Sequence, residues 1–227
     1  MNCVSCESEK KSGENPFFAE WTTPYGVPPF DEIRPEHFLP AFERGMSLHD
    51  AEIDAIATNN DDPTFENVIL AYDRSGAMLA QTELVFGMLC AAENNAKLQA
   101  LQEELMPRLA AHYDRILLDE RLFARIRDLY ERREALGLDA GQQRLLEKTY
   151  RRFVRAGALL DGEQKARLKE INGELALAAV RFGNNLLAEN NRFEMVVPKE
   201  RMGGLPNDVL EAAREAAYRP LKGYGRQ

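Results

Sequence analysis

The side chains in this sequence best able to move a proton or hold a metal near neutral pH are three histidines, His37, His49 and His112. A helical zinc-peptidase site needs two histidines one turn apart, with a glutamate between them to activate water. No pair here has that spacing, and no HExxH is present. The sequence therefore predicts no catalytic residue and no metal ligand, and it leaves any substrate-binding residue unassigned. His112 is in line with Leu105, Leu109 and Ile116 and reads as a core or helix-packing histidine. His37, in PEHF, reads as making local hydrogen bonds, and His49, beside Asp50, as lying at the surface.

Nucleophile chemistry has no better support. Cys3 and Cys6 form a lone CVSC in a polar terminus, Cys90 lies on a predicted helix face, and no GxSxG elbow or phosphate-binding loop occurs. The terminal cysteine followed by SCESEKKSGEN also resembles the mature start of a bacterial lipoprotein, with residues 1–14 as a disordered tail or tether. That reading places the protein at the bacterial cell envelope or periplasm if Cys3 or Cys6 carries lipid, and otherwise in the cytoplasm. The basic group Arg144, Lys148, Arg151, Arg152 and Arg155, interleaved with Tyr150 and Phe153, reads as a solvated helix face with a buried aromatic edge.

The elements that would carry these residues are helices. The longest pattern runs from Asp161 to Asn191, with Leu168, Ile171, Leu175, Ala178, Phe182 and Leu186 on one stripe and Leu177, Val180 and Leu187 widening it. A helix of that length is a rod of roughly 45 Å. Several shorter helices are expected to pack along it. Before it come a helix from Pro35 to about Ala57, with Ile33, Phe38, Ala41, Phe42, Leu48, Ile53 and Ile56 as candidate core, and one starting after Asp62 with the stripe Phe65, Ile69, Tyr72, Gly76, Leu79, Glu83, Phe86 and Cys90. Gly76 and Gly87 are candidate close-approach points, and Glu83 needs a partner if buried.

A third helix, from about Asn95 to Leu118, should kink or break at Pro107. A fourth stops at Gly137, a fifth opens with Asp139 and Gln142 at capping-box spacing, and a last runs from about Asn207 to Tyr218. Phe193–Val197 is the one strand-like run. Residues 15–34 form an extended aromatic and proline-rich arm expected to lace helices together by burying its rings. The sum is an all-α domain of about seven helices with one long central helix, covering 15–227.

Bulk properties narrow the function. With 37 acidic against 29 basic side chains and a net charge of -8, the chain has no global attraction for nucleic acid. No window approaches eighteen consecutive apolar residues, so no transmembrane segment is expected.

The run NPFFAEWTTPYGVPPFDEIRPEHFLPAFERGM at 15–46, then DDPTFENVILAYDRSG at 61–76, then RFGNNLL at 181–187 followed by FEMVV, resembles the amino-terminal region of bacterial peptidyl-dipeptidases (dipeptidyl carboxypeptidases). These belong to the thimet oligopeptidase and oligopeptidase A family of zinc peptidases. The resemblance implies a helical wall of a deep channel that admits short peptides, docked on a carboxy-terminal catalytic lobe that holds the HExxH zinc site and releases C-terminal dipeptides. Because nothing here matches that motif, the chain alone is expected to be inactive. The alternative is a helical partner-binding or scaffold module without enzymatic activity.

Overall fold

A computed structural model describes residues 15–195 and 197–218, and every regular element among them is helical. Expectations about the tail at 1–14 and the cysteines Cys3 and Cys6 lie outside these residues. The chain divides into two compact units, one up to Asn184 and one from Asn185.

In the first unit, the arm enters through a short 3-10 turn, Pro16–Phe18, capped by the Asn15 side chain. Phe17 is buried against Phe38, whose ring lies 5.3 Å away, and the Trp21 indole N–H donates to the Pro16 carbonyl. Farther along the arm Tyr25 and Phe30 are exposed, and Ile33 returns to the same core. Helix α1 (Pro35–Ala57) starts on proline, and the His37 ring Nδ1 accepts the Arg34 backbone N–H. That is the local bond expected of His37.

Thr64 and Asn67 then cap each other around a π-helical run, Phe65–Leu70, which leads into a short helix α2 (Ala71–Arg74). The expected single long helix is interrupted here: Ser75 is extended and Gly76 adopts φ 73° before α3 (Ala77–Ala92) resumes. This segment, Phe65–Ala92, is long and apolar enough by length and composition to cross a membrane. The fold divides it between two cores instead, with Phe65, Val68 and Ile69 in one and Leu79, Val85 and Phe86 in the other.

Helix α4 (Ala96–Leu117) begins at an Asn95 cap whose side chain accepts from Lys97 and Leu98. It continues through Pro107 without the expected break. The carbonyl four residues back belongs to exposed Glu103, so water can satisfy the bond that proline cannot make. Helices α5 (Glu120–Glu131) and α6 (Ala140–Arg155) follow, each opened by an aspartate cap; in α6 Asp139 and Gln142 form the reciprocal box. Tyr150 stacks on Tyr130 at 3.9 Å and Phe153 is fully buried, while Arg144, Lys148, Arg151, Arg152 and Arg155 face solvent.

Two apolar clusters result. One gathers Phe38, Phe42, Leu79, Phe86, Leu105 and Leu109; the other gathers Ile53, Ile56, Phe65, Ile116, Ile126 and Phe153. Helices α1 and α4 contribute to both. Gly45 is what lets α1 and α3 come close, because a Cβ there would stand 3.0 Å from the Leu79 Cα. Gly87, expected to play such a part, borders open space.

Helix α7 (Gly162–Arg192) has the expected position and length, with Asp161 and Gln164 bonded reciprocally at its start. Its packing differs. Buried Lys165 pairs with Glu120 at 2.8 Å, and Asn172 donates to Asp114 at 2.7 Å, so the inward side carries Leu168, Asn172, Leu177 and Val180. The main stripe is turned outward: Leu175 is 63% and Phe182 70% exposed, with Ile171 also exposed. No row of shorter helices covers it among the described residues. The polar anchors at 165 and 172 set the helix's rotation, and hydrophobic spacing alone cannot report that.

In the second unit, α8 (Asn207–Tyr218) forms as expected. The run from Phe193 is irregular, with Phe193 and Met195 exposed and Val196 outside the described residues. A strand needs a partner to take its backbone bonds, and none is present among the described residues.

Candidate functional site

Between the two clusters on both α1 and α4 lies a polar seam. On α1, His49 follows Phe42 by two turns and precedes Ile53 by one; on α4, His112 sits between Leu109 and Ile116. His112 is buried as expected, but so is His49, at 7% exposure, where the sequence suggested a surface position. The cause is Gly76. A Cβ on that residue would stand 2.8 Å from His49 Nδ1, so its absence opens the slot that the imidazole fills. Leu48, the expected core residue, is turned out instead. Positions 38, 42, 45, 49, 53 and 56 share one face of α1, but that spacing does not report the room that Gly76 leaves for the ring.

The seam's groups form a chain. Ser75 Oγ donates to the Tyr72 carbonyl at 2.7 Å and stands 3.2 Å from His49 Nε2. His49 Nδ1 is 3.1 Å from His112 Nε2, and His112 Nδ1 is 3.1 Å from Asp50 Oδ1. That oxygen is ion-paired with Arg115 but accepts no well-aligned hydrogen bond. Glu52, also on α1, accepts the Gly76 backbone N–H at 2.7 Å, which ties the turn between α2 and α3 to α1. Burial, the neighbouring His112 and the more distant cations Arg115 and Arg152 hold His49 down to about 4, against a smaller upward pull from Glu52. Burial also lowers His112.

Glu83 has the partner it needed. Tyr113 donates to it at 2.6 Å; burial raises the Glu83 carboxyl, and burial with the Glu83 bond raises the Tyr113 phenol. Burial pushes the Cys90 thiol up to about 11, so it is a packing residue rather than a nucleophile.

Beside the Asp50 end of the seam, Asp50, Ile53, Asp54, Arg115, Ile116, Asp119 and Arg121 line a cavity of about 350 Å³. Arg121 is paired with Asp54 and Asp119, and Arg115 with Asp50. Both cations are already neutralised, leaving little to grip an anionic ligand.

The seam resembles a serine–histidine–aspartate relay, but its direction is wrong for one. Ser75 has a single hydrogen, and it goes to Tyr72. His49 must therefore present N–H, not a lone pair, to Ser75, and an N–H cannot act as a general base. The seam does not fit zinc either: the facing nitrogens of His49 and His112 bond each other, and among the described residues no group of three or more His, Cys, Asp or Glu side chains could hold a metal.

Similarity to known proteins supplies what this geometry does not. The chain is 42% identical over 204 residues to dipeptidyl carboxypeptidase of Escherichia coli (strain K12). Its homologues are dipeptidyl carboxypeptidases, with oligopeptidase A next. The Salmonella typhimurium dipeptidyl carboxypeptidase is 38% identical, and oligopeptidase A of Escherichia coli 25% identical, over the same number of residues. Each alignment covers 89% of this chain and 30% of the relative. No protein-family model matches the chain.

Proposed function

We propose that this chain is the amino-terminal helical part of a zinc metallopeptidase that hydrolyses short peptides and releases C-terminal dipeptides. In that protein it forms part of a channel wall and docks on the catalytic lobe, and it is inactive alone. The observation that carries this reading is the similarity over 89% of the chain to peptidases more than three times its aligned length. The outward stripe Ile171, Leu175 and Phe182 supports it, because an apolar face on a charged helix is stable in water only at a cost that docking removes. Zinc in the longer protein would supply a polarised water for attack on the peptide carbonyl. This chain's residues would contribute shape and exclusion of water.

The test is zinc content and dipeptide release, measured on the 227-residue chain and on the longer product of its gene. Zinc and activity in the long form alone support the reading. Activity in the short chain refutes it, and a long form with neither zinc nor hydrolysis favours the scaffold alternative.

A further inference from the structure

The seam's hydrogens can be counted. Four close contacts run in a line, from Tyr72 carbonyl to Ser75, His49, His112 and Asp50. Both ends, a carbonyl and a carboxylate, are acceptors. Two neutral imidazoles and one hydroxyl supply three hydrogens, one too few for four contacts. Starting from the Tyr72 end, Ser75 gives its hydrogen to the carbonyl, His49 gives its Nε2–H to Ser75, and His112 gives its Nε2–H to His49 Nδ1. Counted in that direction, the contact left without a hydrogen is His112 Nδ1 against Asp50 Oδ1.

We propose that the seam is a two-stage, proton-sensitive latch. The first proton enters at His112 Nδ1, where Asp50 receives it; the second, at His49, releases the turn between α2 and α3 from α1 and α4. In the first stage the imidazolium of His112 keeps its Nε2–H on His49, and its new charge at Nδ1 faces the Asp50 carboxylate 3.1 Å away. The second stage cannot be accommodated. His49 Nδ1 already accepts from His112, so a proton there sets two N–H groups and two positive charges against each other in the slot over Gly76.

The groups facing the pair come from every packed element. Asp50 and Glu52 on α1 favour charge; Arg115 on α4 and Arg152 on α6 oppose it; Tyr72 and Tyr113 are neutral. Glu83 faces the seam only through Tyr113. The net field does not favour two charges on the pair. Ejecting the His49 ring removes the imidazole from the turn's attachment to α1 and leaves the bond from the Gly76 N–H to Glu52.

Nitrogen-15 NMR on the full chain labelled at histidine reads this directly, since long-range ring correlations distinguish the two neutral tautomers and the imidazolium. At about pH 7.5, above the ordinary histidine range, both His49 and His112 are expected as Nε2–H tautomers. On acidification, His112 should convert to imidazolium before His49, and backbone resonances of Ser75 and Gly76 should move with His49 rather than with His112. Ser75→Ala removes the acceptor that orients His49 and should reverse both tautomers to Nδ1–H, with His112 then donating to Asp50. If that variant does not fold, Asp50→Asn serves: it should lower the His112 midpoint by at least about one pH unit while His49 keeps its tautomer. Finding Nδ1–H tautomers in the native chain, His49 titrating first, or a His112 midpoint unmoved by Asp50→Asn would overturn the proposal.

Discussion

Gly76→Ala should be among the more damaging single-methyl changes available in this protein. Its φ of 73° is left-handed, which costs an alanine about 1–2 kcal/mol. The added Cβ would lie 2.8–3.0 Å from three atoms of the His49 ring, so the ring must leave its slot. Its contacts with Ser75 and His112 are then lost, and each buried polar group left unpaired costs about 1–3 kcal/mol. The total is roughly 3–8 kcal/mol, a large share of a typical domain's 5–15. Urea unfolding of Gly76→Ala, His49→Ala and the double variant separates the terms. With the ring gone, Gly76→Ala should cost only the backbone term, about 1–2 kcal/mol, giving a coupling of at least about 1 kcal/mol. Equal costs in both backgrounds would refute the claim that the glycine exists to seat the imidazole.

Stability should fall with acid. His49 has a folded value of about 4 against 6.5 unfolded, so the unfolded chain takes up a proton first, and the contribution present above pH 6.5 is lost as pH falls toward 4. The loss is about 3 kcal/mol at most, and His49→Gln should flatten the unfolding-midpoint profile over that window. The two helix glycines should behave oppositely: Gly45→Val, pressed on the Leu79 backbone, should destabilise by roughly 1–3 kcal/mol, whereas Gly87→Ala, in open space, should stabilise by about 0.5–1 kcal/mol in the same urea assay. Leu175→Glu with Phe182→Glu should leave the stability of this chain within about 0.5 kcal/mol, because both side chains are already exposed; on the function proposed above, the same pair should lower the thermal midpoint of a longer, docked form.

Local signals were legible in the chain itself. Asp139 with Gln142, Asp161 with Gln164, and proline at the start of α1 place helix ends through bonds made within a few residues, and the 3.6-residue rhythm marks the all-α class. His37 and His112 were equally readable, one from its helix position and one from its apolar row. The burial of His49 was not. It depends on the missing Cβ of Gly76, far away along the chain, and no periodicity within α1 encodes a cavity made by another segment. Likewise the rotation of α7 rests on Lys165 meeting Glu120 and Asn172 meeting Asp114, polar pairs formed across long separations that outweighed the wider apolar row. Amino-acid order alone thus determined the helices, their caps and the absence of a zinc-peptidase motif, because those are short-range matters. Which faces turned inward, and that two histidines meet in a buried seam, was decided only when distant segments packed.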